Sequence, residues 1–310
     1  MDTRSLGIVA GLAAAAFSAL SYLITRHHGN QQGGGSLRLL VQGHFLMGLA
    51  CLPLAWALWP AASPPLDAWL PPLLGASLCY LVGQATVFAL LKRTDASRVA
   101  PLLGLKIAIL AVIVTFALAT PLTARQWAAV AVSLLAAVML QRSGGSLPLR
   151  SVAGILLACC FFAMSDLCIV GTIDGLQTPS TASPEAAEPP GRLAAGVLAM
   201  ASTYAVCGGA AALFLPRVSR GRKGGWFAAA QYAAAWLAGM VALYACFGAV
   251  GVVFGNILQS TRGIMAVGVG AMLAHMGWHD LEQPVDREAL VRRLIAAALM
   301  TVAIAIYAIP

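Results

Sequence analysis

The chain has 310 residues, of which 60% are hydrophobic and only 10% charged, with a mean hydropathy of +0.84. Soluble domains carry about 25% charged residues, and no soluble core of this size could hide so much apolar surface, so the bilayer is the expected solvent. The formal charge of +8 does not point to nucleic acid, because the basic residues sit in short segments between apolar runs, with no basic stripe interleaved with aromatics.

The first apolar run, 6–25, is too long for the hydrophobic region of a signal peptide, and more runs follow it. It carries Gly7-x-x-x-Gly11, a spacing that lets helices approach closely. Further spans are expected at 37–58, with Gln42 and His44; at 69–91, with Gln84 and Thr86; at 97–118; and at 124–141. Thr123-Ala124-Arg125-Gln126 reads as a capping box at the start of that fifth span. The sixth span, 151–173, holds Asp166, the only acid well inside a run. The segment 174–191 has four prolines, Glu185, Glu188 and no Lys or Arg, and reads as a flexible external loop. Spans follow at 193–215, 228–250, 254–275, preceded by Gly251-x-x-x-Gly255, and 289–309, with Asp286 as its N-cap. The fold class is therefore all-α and polytopic, with ten transmembrane helices.

All seven cysteines fall inside apolar runs, without a C-x-x-C pair near histidines, and read as small packing residues. His27-His28 and His275 with His279 lack companion ligands at useful spacing, so neither metal nor cofactor is expected. No hydrolase, metalloprotease, phosphate-binding or dinucleotide motif occurs. Paired acids are too sparse for a membrane-embedded enzyme.

The chain matches itself in three places, in order. Phe17–Leu23 (FSALSYL) resembles Phe161–Leu167 (FFAMSDL), Gly83 and Phe88-Ala89 match Gly239 and Tyr244-Ala245, and Pro121-Leu122-Thr123 matches Pro284-Val285-Asp286. Each half, 1–142 and 143–310, then holds five spans. An odd number of spans inverts the second copy, giving the inverted repeat of secondary transporters.

The stretch Asp95-Ala96-Ser97-Arg98-Val99-Ala100-Pro101-Leu102-Leu103-Gly104-Leu105, a span, then Pro121-Leu122-Thr123-Ala124-Arg125-Gln126-Trp127 and another span resembles the EamA-type repeat of the drug/metabolite transporter superfamily. The resemblance covers nearly the whole chain. It implies ten helices in two inverted five-helix repeats, a central cavity near the midplane, and export or exchange of small metabolites. Where many relatives read alanine-leucine-glutamate-proline, this chain reads Gly104-Leu105-Lys106-Ile107, which argues against a cationic drug. Lys106 corresponds through the internal repeat to Arg262, so both positions are basic. The plastid phosphate-translocator branch is similar in placing basic residues on the corresponding helices.

A charge near the bilayer centre costs roughly 2.5–3.5 kcal/mol on insertion scales, so Lys106 and Arg262 should face a cavity or a partner rather than lipid. Two readings follow: each is neutralised structurally, by Asp166 or by free helix carbonyls, or the pair binds an anion. Asp166 is a proton-coupling site, a counter-ion, or a group near the aqueous end of its span. Gln84, Gln259 and Asn256 either line the cavity or bond across helices in packing, and His44 reads as a hydrogen-bonded packing residue in preference to a proton relay. The leading expectation is a secondary transporter of a small, anionic metabolite in the cell membrane. Lys106 and Arg262 hold the anion, Gln84 and Gln259 orient it, and Asp166 serves for coupling or as counter-ion. A flippase for an anionic lipid-linked sugar and a non-transporting scaffold or sensor are the alternatives. The expected partners are a small-molecule substrate and the lipid bilayer, with no nucleic acid, and a homodimer is the assembly this reading leaves open.

Fourteen of the nineteen basic residues lie in or beside loops that follow odd-numbered spans; Arg4, Arg125 and Arg192 are the only ones at the termini and other loops. Short basic loops stay in the cytoplasm, so the charges place both termini outside, whereas the family resemblance implies termini inside.

Overall fold

The computed structural model describes residues 2–32, 36–91, 102–141, 148–179, 190–219, 225–262, 264–265 and 287–308. Among these residues there are ten α-helices and no strand: α1 Thr3–Gln32, α2 Ser36–Leu58, α3 Leu66–Leu91, α4 Lys106–Val112, α5 Ala124–Gln141, α6 Leu149–Leu176, α7 Arg192–Ser219, α8 Trp226–Val250, α9 Val252–Ser260 and α10 Arg287–Ala308. Each falls on one of the ten expected spans. Helices suit such a sequence because a bilayer offers no water to satisfy backbone groups, and a helix satisfies its own. Six of them (α1, α2, α3, α6, α7 and α8) are long and apolar enough to cross a membrane. Their outer faces carry large apolar side chains, with Trp56 and Leu149 more than four-fifths exposed. The chain is a multi-pass membrane protein.

Several hydroxyls inside these helices are satisfied locally. Ser77, Thr86, Thr172 and Thr203 each donate to the carbonyl four residues back, at 2.8–2.9 Å. Thr86 is thereby a packing residue. Gln42 is also buried, with its Nε2 left without a hydrogen-bond partner.

The capping box forms as expected. Thr123 N–H donates to Gln126 Oε1 at 2.8 Å, and Gln126 N–H donates to Thr123 Oγ1 at 3.3 Å. Asp286, the histidines at 275 and 279, and the core of the Pro-rich segment at 180–189 lie outside the described residues. The start of that segment needs correction: α6 continues through Leu176, so Asp174 is helical and not in a loop. Asp174 instead receives Arg192 Nη2 at 2.9 Å, while Arg192 Nε donates to the Gly248 carbonyl. That carbonyl belongs to the last turn of α8, where no further helical N–H reaches it.

α1 packs along α8, α2 along α7, α3 along α6, α5 along α10, and α4 lies against α9. Exchanging each helix for the one five places away maps this set of pairs onto itself. Small residues make the contacts close. A Cβ on Gly83 of α3 would lie 2.8 Å from the Phe162 ring of α6, and one on Gly239 of α8 would lie 3.3–3.4 Å from Phe17 and Ser18 of α1. Gly7 and Gly11 likewise face Val250 and Leu258 at 2.6–2.7 Å.

The Gly251-x-x-x-Gly255 spacing does something different from the expected helix approach. Gly255 abuts Phe247, but Gly251 is the break between α8 and α9, at φ 81° and ψ 167°. That region is accessible essentially to glycine alone and costs other residues about 1–3 kcal/mol. A Cβ there meets nothing within 4 Å. Gly251→Ala is therefore expected to lower unfolding free energy by about 1–3 kcal/mol through backbone strain and not through a clash; thermal unfolding in detergent measures it.

The fourth and ninth helices are both short. α4 is preceded by a 3₁₀ turn, Leu103–Leu105, and followed by a π-helical turn, Ile113–Ala117. α9 ends at Ser260, Thr261 is a turn, and Arg262 is helical again. Lys106 thus stands where hydrogen bonding changes from 3₁₀ to α, and Arg262 directly after the turn at Thr261. Such mid-helix irregularities recur at functional sites.

Candidate functional site

A cavity of about 600 Å³, counting space open to solvent, lies between these helices. One face of each helix supplies its wall: Tyr80 and Gln84 from α3, Phe162, Asp166 and Ile169 from α6, and Trp236, Met240, Leu243 and Tyr244 from α8. These residues recur at three- and four-residue steps, the spacing that aligns side chains on a helix. Thr203 and Tyr204 of α7, Lys106 of α4, Gln259 of α9 and Arg262 complete the charged and polar part of the lining.

All five residues singled out by sequence (Lys106, Arg262, Gln84, Gln259 and Asp166) line this one cavity. Neither basic side chain is left to lipid. Lys106 Nζ lies 3.0 Å from Asp166 Oδ2 and donates to Gln259 Oε1 at 3.2 Å. Asn256 Nδ2 donates to the same Asp166 oxygen and to the Val252 carbonyl, both at 2.9 Å, using its two hydrogens. Three helices, α4, α6 and α9, are joined through this network. Asn256 Oδ1 remains buried without a hydrogen-bond partner. Asp166 is 6% exposed and lies inside α6, on the wall of this cavity.

Gln84 stands apart from the basic pair. Its Nε2 donates to the Tyr80 hydroxyl at 3.3 Å. His44 Nδ1 is 2.8 Å from the Leu40 carbonyl and Nε2 is 2.9 Å from the Tyr80 hydroxyl. A carbonyl only accepts, so Nδ1 carries the proton; in the neutral ring Nε2 then accepts from Tyr80. His44 is a satisfied packing residue that fixes Tyr80. The Tyr80 ring meets Tyr204 edge-on at 5.8 Å, and Trp236 Nε1–H donates to the Tyr204 hydroxyl at 2.7 Å.

Sequence reasoning missed this aromatic half: Tyr80, Phe162, Tyr204, Trp236 and Tyr244. The available signal was Tyr80 and Gln84 one turn apart. For Trp236 and Tyr244 no signal existed, because α8 is apolar on every face.

Among the described residues, the lining groups with formal charge are Lys106, Arg262 and Asp166, which sum to +1. A buried site of that balance can hold an anion, with Arg262 offering a planar fork and Lys106 a point charge.

No curated protein matches this chain. A solved crystal structure aligns with 99% of it and 96% of its own length, at TM-score 0.64 and 16% identity. At that identity the likeness shows the shared fold alone. Residues 5–142 match the sequence model of the EamA-like transporter family. The sequence resemblance agrees with that match, and the first half of this multi-pass membrane chain is similar to the EamA-like transporter family.

Proposed function

We propose that the protein is a secondary transporter of a small anionic metabolite in the cell membrane, working by alternating access between two inverted five-helix repeats, 1–142 and 143–310. The observation that carries the reading is two cations, Lys106 of α4 and Arg262 just after α9, on one cavity whose lining among the described residues includes a single acid, Asp166. The exchange symmetry of the helix pairs and the short, irregular α4 and α9 support it, since discontinuous helices at a repeat interface form the sites of many transporters. A scaffold or sensor gives no reason for such a cavity.

Lys106 is held by Asp166 and Gln259. An entering anion takes Arg262 as a fork-shaped donor and shares Lys106 with Asp166. Gln259 and Gln84, both on the cavity wall, orient it. Lys106 and Asn256 both donate to Asp166, and a carboxylate engaged by the cavity's own ammonium supports the counter-ion reading over proton coupling.

The test is a thermal-shift and proteoliposome-counterflow screen of purified protein against organic and inorganic anions. At least one anion is expected to stabilise the protein and exchange. Arg262→Gln is expected to lower that uptake by about tenfold or more, the loss of one charged hydrogen bond. A flat melting temperature with no counterflow across the panel would sink the proposal.

Orientation is tested separately. The basic residues after odd-numbered spans lead to the expectation that a C-terminal alkaline phosphatase fusion is active and a C-terminal fluorescent protein dark. The reverse pattern would place Pro310 in the cytoplasm and overturn the charge-based assignment.

A further inference from the structure

We infer that the ligand of this cavity is a small organic anion that also bears a neutral hydroxyl, with the hydroxyl donating to Gln84 Oε1 and the anionic end accepting from Gln259 Nε2. The inference rests on the anion-transport reading and deepens it by naming the ligand's second group.

The two glutamines on the cavity wall are held in opposite orientations, each by what its neighbour can donate or accept. The Leu40 carbonyl only accepts, so Nδ1 carries the proton of the neutral His44 ring and Nε2 is an acceptor. Tyr80 therefore gives its one hydroxyl hydrogen to His44, at 2.9 Å. Its oxygen is left to accept, and does so from Gln84 Nε2 at 3.3 Å. The Gln84 amide is thereby turned with Oε1 away from Tyr80. Gln84 is 7% exposed and lines the cavity, so the group it offers there is a carbonyl oxygen. Gln259 is fixed the other way round. An ammonium only donates, so the amide atom 3.2 Å from Lys106 Nζ is Oε1, and Nε2 is the end left for the cavity.

Amides fixed in this way select by what a ligand leaves unpaired. An acceptor that loses water on binding and gains no donor carries its full desolvation cost, so a ligand with the hydroxyl is favoured over the same ligand without it. The donor that fits is neutral. Among the described residues α3 brings only Tyr80 and Gln84 to the lining, and the acid on the wall, Asp166, already receives Lys106 and Asn256 on one oxygen. An ammonium at Gln84 would be a buried cation facing a neutral oxygen, which is costly. His44 is a positioning residue in this arrangement: it acts on the amide through Tyr80.

Binding to the full-length protein in lipid nanodiscs is measured with two matched pairs, 4-hydroxybutyrate against butyrate and 3-hydroxypropyl phosphate against propyl phosphate. In at least one pair the hydroxylated member is expected to bind about tenfold more tightly. Gln84→Met is expected to bring that ratio to within about twofold of unity by weakening the hydroxylated member alone. His44→Phe, which takes away the acceptor of Tyr80, is expected to lower the same ratio, whereas a merely structural loss would weaken both members alike. An unchanged ratio in His44→Phe overturns its positioning role. If neither variant folds, the wild-type ratios decide alone. Ratios near unity in both pairs, or a preference undiminished in Gln84→Met, overturn the hydroxyl reading and leave anion transport standing. So does silence of all four probes beside a response in the wider anion screen. No response to either set removes both readings.

Discussion

Lys106→Met and Asp166→Asn are each expected to destabilise the protein by about 3–5 kcal/mol, and the double variant to recover most of that loss. Lys106 and Asp166 are 9% and 6% exposed and sit 3.0 Å apart. Removing the ammonium leaves the carboxylate with Asn256 as its hydrogen-bond donor. Removing the acid's charge leaves the ammonium with Gln259, a neutral acceptor. Each single change therefore strands a charge, whereas the double change strands none. Unfolding in detergent, run as a double-mutant cycle, measures the coupling. Function separates from stability in the same set of variants. The double variant keeps the site at +1 through Arg262 but loses one of two cations, so anion affinity is expected to fall by about tenfold even where the fold is restored. Additive losses in the cycle would show that the two groups do not act as a pair.

Gly208→Ala is expected to have an effect out of proportion to one methyl group. A Cβ at Gly208 would lie 2.4 Å from the Cα of Gly48 and 3.0 Å from the His44 carbonyl oxygen. These are backbone atoms of α2 and cannot rotate away, so α2 and α7 must separate. Overpacking of this kind costs about 1–3 kcal/mol, and more where backbone must move. The neighbouring Gly209 provides the control, because a Cβ there meets nothing within 4 Å. Gly209→Ala is expected to be neutral or to stabilise by about 0.5–1 kcal/mol through helix propensity. The damage at Gly208 should reach the cavity, since α2 carries His44, which holds Tyr80 on the aromatic wall. Thermal unfolding and ligand affinity of the two alanine variants check both points. Equal melting temperatures would mean that the α2–α7 contact is looser than its geometry implies.

Much of this protein was determined along the chain. The ten helices were legible because apolar runs bounded by Gly, Pro and charge permit little else in a bilayer; the fifth and eighth, expected at 124–141 and 228–250, run over Ala124–Gln141 and Trp226–Val250. The capping box at Thr123 was legible because its hydrogen bonds join residues three apart. The charged half of the site was legible for an energetic reason: Lys106, Asp166 and Arg262 are too costly in lipid to face anywhere but inward. Hydropathy could not show that the fourth span divides into 3₁₀, α and π turns, because it sums side chains and is blind to which carbonyl each N–H reaches. Nor could it show that Gly251 ends one helix and begins another, since the evidence is a backbone dihedral. The aromatic wall and its partners were decided only in three dimensions. α8 is apolar all round, so no periodicity marks the face that carries Trp236 and Tyr244. That face is selected by the packing of α8 against α1 and α7, and by a hydrogen bond from Trp236 to Tyr204, thirty-two residues away in sequence.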